Sequence, residues 1–285
     1  LFLRAAPRRL KGMAAHKHSM ILADRILSES FTHVLFISSE VFTVDQAARL
    51  QSAGLECVRY AFDSNRNKPV MTALDPYMRE IASFDPEDCE SLGYTYIPLY
   101  SETTPSELNL LRDIDVMYCG SLHSNRPRYI QKLSRAASHL IMNTHFMLFF
   151  QSKLLWFLRY GWDPRLWSLM PMLQSKSFER KDIMDAQLRA KVVIDIHHPA
   201  QTGLTMRFFE ALACGAVVLT TNPYARRGVP QALVDRVVWF DLQTCATALA
   251  QAEQCPTGFV AEDVLRYLSI ERFLDLLAIN SSEKI

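Results

Sequence analysis

The sequence predicts an α/β protein built on parallel sheets and divided into two halves. Three observations predict it. Short β-branched and aromatic runs alternate with longer helical stretches, the order expected of strands joined by crossover helices. Helical stretches close on glycines, as at Gly54, Gly93 and Gly215. The composition is that of a globular chain able to bury a large core: of 285 residues, 49% are apolar and 21% charged.

In chain order, residues 33–38 (HVLFIS) read as a buried strand. Residues 43–53 read as a helix, 55–62 as a second strand ending at Asp63-Ser64, and 69–80 as a helix. A short strand at 81–84, a helix opened by Asp85-Pro86 and an extended run at 94–99 complete the first half. The polar stretch from Tyr100 to Asp113 reads as the link, which sets the domains at 1–113 and 114–285. The second half opens on a strand, 116–120, running into Gly120. A helix at 126–139, a strand at 140–143 and helices at 146–160 and 178–190 follow. Then come a strand at 191–196, a helix at 204–214, strands at 216–220 and 237–240, and a last helix at 261–278, which is free to pack back on the first domain.

Several function classes are disfavoured. The formal net charge is +1, and no basic stripe with interleaved aromatics is present, so no nucleic acid is expected as a partner. The six cysteines show no CxxC spacing and sit in apolar runs, the pattern of reduced core residues in a cytoplasmic setting. No signal peptide is read, and no apolar run reaches the roughly 18 residues of a membrane span. The nearest to one, 145–162, is interrupted by Lys153 and Arg159 and reads as a buried or amphipathic helix. The aromatics Trp156, Phe157, Tyr160, Trp162 and Trp167 read as core, with an acceptor platform or a membrane-facing patch as the alternatives. The first 23 residues carry Arg4, Arg8, Arg9, Lys11 and Lys17 and no acid. They read either as a solvated terminus or as a basic surface for peripheral contact at the inner face of a membrane. No GxGxxG follows a strand, which argues against a dinucleotide-dependent oxidoreductase. His197 and His198 point opposite ways on an extended loop, so no metal site is expected there with Asp195.

Residues 191–222 carry the most information. They read as strand, loop, helix, glycine and strand, which places His197 to Thr205 beyond the carboxyl end of a parallel strand, where ligands bind. Gly203 permits close backbone approach, and Thr202 or Thr205 caps the helix. The helix N-terminus suits a phosphate, and Arg207 adds a cation on the first turn. Glu210 stands in an otherwise apolar helix, so it is either in a buried salt bridge or a carboxylate that accepts the hydroxyls of a ribose.

This segment resembles the C-terminal signature of GT-B glycosyltransferases, in particular the bacterial capsule, lipopolysaccharide and spore-coat type. The matching residues are Gly203, Leu204, Thr205, Arg207, Glu210, Ala211, Leu212, Gly215 and Asn222. Phe62-Asp63-Ser64, Phe84-Asp85-Pro86-Glu87-Asp88, Ile97-Pro98-Leu99, and Tyr118-Cys119-Gly120-Ser121 followed by Arg126 are similar to further motifs of that family, in the same order. The resemblance implies two Rossmann-like doubly wound domains facing across a cleft, with the usual first strand of the N-terminal domain missing before residue 33. It implies transfer of a sugar from a nucleotide-sugar donor to a saccharide, lipid-linked or protein acceptor, with no cofactor beyond that donor.

On the same resemblance, Glu210 holds the ribose, and Gly203, Leu204 and Thr205 cradle the diphosphate beside Gly120, Ser121 and Thr202. Arg126 and Arg207 balance its charge, His198 lies near the sugar or departing phosphate, and Asp63 lies on the acceptor side. Asp63 and His198 are both candidates for the general base. Many retaining relatives carry an acid eight residues before the ribose-binding Glu. Thr202 stands there, so a retaining mechanism is not implied. No Asp-x-Asp ends a strand, and the reading is metal-independent transfer. The alternative is a non-catalytic GT-B-like protein that binds a sugar nucleotide or a partner chain.

Overall fold

The computed structural model describes residues 8–37, 42–102 and 111–282. Contacts divide the chain into two compact units, Leu1–Pro98 with Asp275–Ile285, and Leu99–Leu274. The sequence reading sets the boundary at 113/114. Much of the linker read at 100–113 lies outside the described residues, as do Arg4 and the side chains of Arg8, Arg9 and Lys11.

In the first unit a helix, α1 (Arg8–Ser28), precedes β1 (His33–Ile37), the first strand among the described residues. Then follow α2 (Val44–Ser52), β2 (Glu56–Ala61), a 3-10 stretch (Pro69–Tyr77), β3 (Glu80–Ser83), α3 (Pro86–Leu92) and β4 (Thr95–Tyr96). All strands pair in parallel in the order β1-β2-β3-β4, with no reversal. Local chemistry sets the helix ends. Thr43 and Gln46 form a capping box at the start of α2. Asp85 caps α3, and Gly93 closes it with a φ of 73°, which favours glycine. The stretch read as a helix at 69–80 is 3-10 because Pro76 removes an amide from its interior. Phe36, Ala47, Leu50, Cys57 and Leu74 form the core. Arg59 is buried beside them, paired with Asp75 at 2.7 Å and lying over the Tyr94 ring.

The second unit opens with β5 (Ile114–Ser121), α4 (Arg126–His139), β6 (Thr144–Phe149), α5 (Lys153–Tyr160), a 3-10 stretch (Pro164–Met172) and β7 (Leu173–Gln174). It continues with α6 (Arg180–Arg189), β8 (Ala190–Asp195), α7 (Met206–Ala213), β9 (Val217–Thr220), β10 (Val237–Trp239), α8 (Cys245–Glu253) and α9 (Glu262–Leu268). The last helix, α10 (Ile270–Ser282), runs from this unit into the residues grouped with the first. All strands are parallel, in the order β10-β9-β8-β5-β6-β7. The chain therefore moves outward from β5 to β7 and returns on the other side of β5 as β8. That reversal is a topological switch point, and the crevice beyond the ends of β5 and β8 is where such sheets bind ligands.

Three sequence expectations are corrected here. The strand read at 140–143 lies at 144–149, and the helix read at 146–160 begins only at Lys153. Residues 146–150 are Phe, Met, Leu, Phe and Phe, an apolar run in which periodicity does not separate strand from helix. Ser152 marks the true start, its hydroxyl accepting the Leu155 amide at 3.0 Å. The aromatic cluster is also divided. Trp156 and Tyr160 are buried, whereas Phe157, Trp162 and Trp167 are exposed. No described helix is long and apolar enough to cross a membrane.

Candidate functional site

The loop after β8 and the start of α7 are held by one carboxylate. Asp195, the last residue of β8, is 1% exposed. It accepts from the Thr205 hydroxyl at 2.8 Å, the Thr220 hydroxyl at 3.2 Å and the Arg207 guanidinium at 3.3 Å. Thr205 is also the N-cap of α7, its hydroxyl accepting the Phe208 amide at 3.2 Å. The cap is thus Thr205 and not Thr202. The turn ahead of it is pinned by Asn222, whose amide donates to the carbonyls of Thr202 at 2.8 Å and Gly203 at 3.3 Å. Leu204 is buried beneath the turn. The Met206 and Arg207 amides, at the first helical positions, have no acceptor within the helix.

Arg207 has a structural partner. Its guanidinium is tied to Asp195 and lies 5.6 Å from the centre of the Tyr118 ring. A side chain at Gly120 would meet the Tyr118 hydroxyl at 2.8 Å and the Arg207 guanidinium at 3.3 Å, so glycine there makes room for this stack.

Arg126 is different. It opens α4 and donates to the Ser121 carbonyl at 3.4 Å, and it lies 3.0 Å from His123 Nε2. Among the described residues no carboxylate lies within ion-pair distance of it. Burial pushes its pKa down and Arg207 adds to that, while Tyr118 and the charge of Asp195 oppose the shift. His123 lies between Arg126 and His198, its ring centre 6.0 Å from that of His198. Burial, then Arg126, His198 and Arg159, push the His123 pKa down to about 4. It is neutral near pH 7, yet a bound anion would favour its charged form.

His198 Nδ1 accepts the Ala200 amide at 3.2 Å, which leaves Nε2 to carry the proton of the neutral ring. His197 turns to the Thr221 hydroxyl, 2.7 Å from Nδ1, and burial lowers its pKa.

Glu210 lies on α7, one turn below the cap, and is 4% exposed. Arg180, at the start of α6, sits 2.8 Å from its Oε1 and also pairs with Glu102 at 3.1 Å. Gln187 donates to Oε2 at 3.5 Å. Oε1 faces the Arg180 guanidinium and is shielded from solvent, with its second lone pair as the remaining acceptor capacity. The salt-bridge and ribose readings of Glu210 are therefore compatible.

Asp63 lies in the other unit, just past the end of β2, with Lys68 Nζ 3.0 Å from it. The remaining predicted residues, from Gly120 to Glu210, all lie in the second unit around the ends of β5 and β8 and on α7. Sequence reasoning missed three participants. His123 has a usable signal, since it falls in the short loop between β5 and α4. Asp195 is legible in the sequence only as a strand-end carboxylate beside two histidines, and its role as a hub depends on Thr205, Arg207 and Thr220, supplied by other elements. Arg180 carries no local signal at all.

A doubly wound parallel sheet with a cationic crevice at its switch point, together with a second parallel α/β unit, is the make-up of the GT-B fold. Residues 128–256, just under half the chain, match the family described as Glycosyl transferase-like. AviGT4, a glycosyltransferase involved in avilamycin A biosynthesis, superposes with a TM-score of 0.56 at 12% identity, over 91% of this chain and 79% of that one. Anabaena Alr3699/HepE, solved in complex with UDP and glucose, gives 0.55 at 12% identity, over 93% and 81%. The UDP-GlcNAc 2-epimerase of Methanocaldococcus jannaschii gives 0.53 at 9% identity, over 96% and 84%. No curated protein matches this chain in sequence.

Proposed function

We propose that the protein transfers a sugar from a nucleoside-diphosphate sugar to a saccharide, lipid-linked or protein acceptor, with the donor held by the second unit. One observation carries the reading: Arg126 is a half-buried cation with no carboxylate within ion-pair distance among the described residues, at the switch point of a doubly wound sheet. Burying a charge without a partner is unfavourable unless an anion completes the site. A diphosphate does so, with His123, the His198 Nε2–H and the first amides of α7 as further donors. Glu210 Oε1 accepts from a ribose hydroxyl. HepE, of the same fold, was solved in complex with UDP and glucose, which supports the choice of nucleotide class.

In this reading the bond between the sugar's anomeric carbon and the diphosphate oxygen breaks, and the acceptor oxygen takes its place. The acceptor's proton passes to a base, for which Asp63 is proposed on the family resemblance alone. His198, with Nδ1 occupied by the Ala200 amide, serves as a donor to the leaving phosphate rather than as that base. Arg126 and the helix N-terminus supply the charge stabilisation that a metal supplies elsewhere, which is why metal-independent transfer is proposed. Six free cysteines suit a reducing, cytoplasmic setting.

The test is nucleotide binding followed by turnover in the presence of a chelator. UDP or another nucleoside diphosphate is expected to raise Tm. Arg126→Ala and Glu210→Ala are expected to weaken binding by about 2 kcal/mol each, on the scale of lost charge-assisted hydrogen bonds. Acceptor-dependent release of the nucleotide identifies a transferase, whereas a change of the donor sugar without acceptor identifies epimerase chemistry. A Tm that no nucleotide moves removes the donor-site reading.

A further inference from the structure

Helix α5 is apolar on two opposite sides. Trp156 and Tyr160 point inward, their ring centres 4.6 Å apart, and Phe150 packs against both. Leu154 and Leu158, one turn apart, face outward at 69% and 70% exposure, flanked by exposed Leu155 and Phe157. A helix apolar all round is normally buried on all sides. The turn that follows continues the patch. Trp162 is 68% exposed and donates its ring N–H to the Arg159 carbonyl at 2.9 Å. Trp167 is 52% exposed and donates to the Gly161 carbonyl at 3.0 Å. Both indoles are thereby fixed with their polar atoms satisfied and much of their ring surface open. An exposed apolar cluster of this kind is a candidate interaction surface.

A basic groove adjoins it. Its cavity of about 650 Å³ is lined by Arg128, Lys132, Arg135 and His139, which share one face of α4, together with Arg165. Asp163 is the acid in this lining, and Arg165 already neutralises it through two contacts of 2.8 Å. Residues 162–167 join groove and patch, because Trp162, Arg165 and Trp167 alternate along one short turn. Lys153 and Arg159 add cations at the two ends of α5.

We propose that α5 and residues 162–167 dock on an anionic lipid bilayer. The outward leucines and Phe157 enter the acyl boundary, the two indoles sit at headgroup depth, and the α4 groove meets anionic headgroups. Charge selects this occupant over a second copy of the chain. A symmetric contact would bring two basic grooves together, whereas an anionic surface complements them. The helix is far too short to span, so the contact is peripheral. This inference stands apart from the donor-site reading, because docking is measured without nucleotide.

The experiment is co-sedimentation of the full chain with phosphatidylcholine vesicles, with and without phosphatidylglycerol. Binding is expected with phosphatidylglycerol, weakening as salt rises, and with a blue shift of tryptophan fluorescence. Leu154→Glu with Leu158→Glu is expected to lower vesicle affinity at least about tenfold while leaving Tm and nucleotide binding unchanged. Arg128→Glu with Arg135→Glu is expected to remove the preference for the anionic lipid. The proposal is overturned if the wild-type chain stays in the supernatant, or if the leucine variant binds vesicles like the wild type. It is equally overturned if the wild type is a dimer that the leucine variant dissociates, which would place a second copy on the patch. Should the leucine variant fail to fold, brominated lipid decides with the wild-type chain: quenching of its tryptophans supports the proposal, and no quenching ends it.

Discussion

His123 has a pKa near 4 where a free imidazole has 6.5, because burial and then Arg126, His198 and Arg159 all disfavour its charged form. The sign of the linked stability follows. As pH falls through about 6.5 the unfolded chain takes up a proton at this ring, and the folded chain does so only near 4. The stability held by the neutral ring is therefore complete above that window and is lost as pH falls through it. Melting between about pH 7 and about pH 5 is expected to show a loss that His123→Asn reduces. A nucleoside diphosphate beside the ring would raise its pKa. NMR titration of the His123 ring is expected to give a midpoint near 4 in the free protein and a clearly higher one with UDP. A midpoint that UDP leaves in place would show that the diphosphate does not lie against His123.

At the scale of elements, the β8–α7–β9 unit owes its shape to its junctions. Arg112 donates to the carbonyls of Ala190 and Cys214, and so ties the start of β8 to the end of α7. Gly215 then turns the chain into β9 with a φ of 71°, where a Cβ would lie 2.0 Å from the Gly258 carbonyl oxygen. The Gly258 amide bonds the Gly215 carbonyl at 2.8 Å, so the two backbones cannot easily separate. Gly215→Ala is expected to cost more than about 2 kcal/mol, from the left-handed conformation and the backbone overlap together. Denaturant unfolding measures it, and a loss below about 0.5 kcal/mol would show that the junction yields. The cost falls on stability rather than on donor contacts, because Gly215 lies at the far end of α7 from Thr205.

At the scale of the molecule, the second unit holds an extensive core of its own, running from Val116 and Tyr118 through Trp156 and Ile194 to Leu249. Every residue proposed to touch the donor lies in that unit. A domain with its own core and site is expected to fold alone. Residues 99–274 expressed by themselves are expected to melt cooperatively, and UDP is expected to raise their Tm as it does that of the full chain. Sugar transfer is expected only from the full chain, since Asp63 belongs to the other unit. Loss of the UDP response in the fragment would assign part of the donor site to the first unit.

The sequence by itself determined the α/β class and most of the strands, and it pointed to the loop after β8 as the candidate binding segment. These rest on local signals: β-branched runs, a threonine cap at 202 or 205, Gly215 and the Gly203-Leu204-Thr205 turn are each written within a few residues. It also singled out Glu210, because a carboxylate in an apolar helix stands out without any tertiary knowledge. Tertiary structure decided the rest. Residues 144–149 became a strand because their register along β5 pairs every residue from Val116 to Ser121, a contact no local window contains. The return of the chain to the other side of β5 put His123 and Arg126 beside His198, and it gave Arg207 to Asp195 while leaving Arg126 with no carboxylate partner among the described residues. Which of two arginines is neutralised depends on the distance to a carboxylate supplied by another strand, and that distance is fixed only when the sheet is assembled.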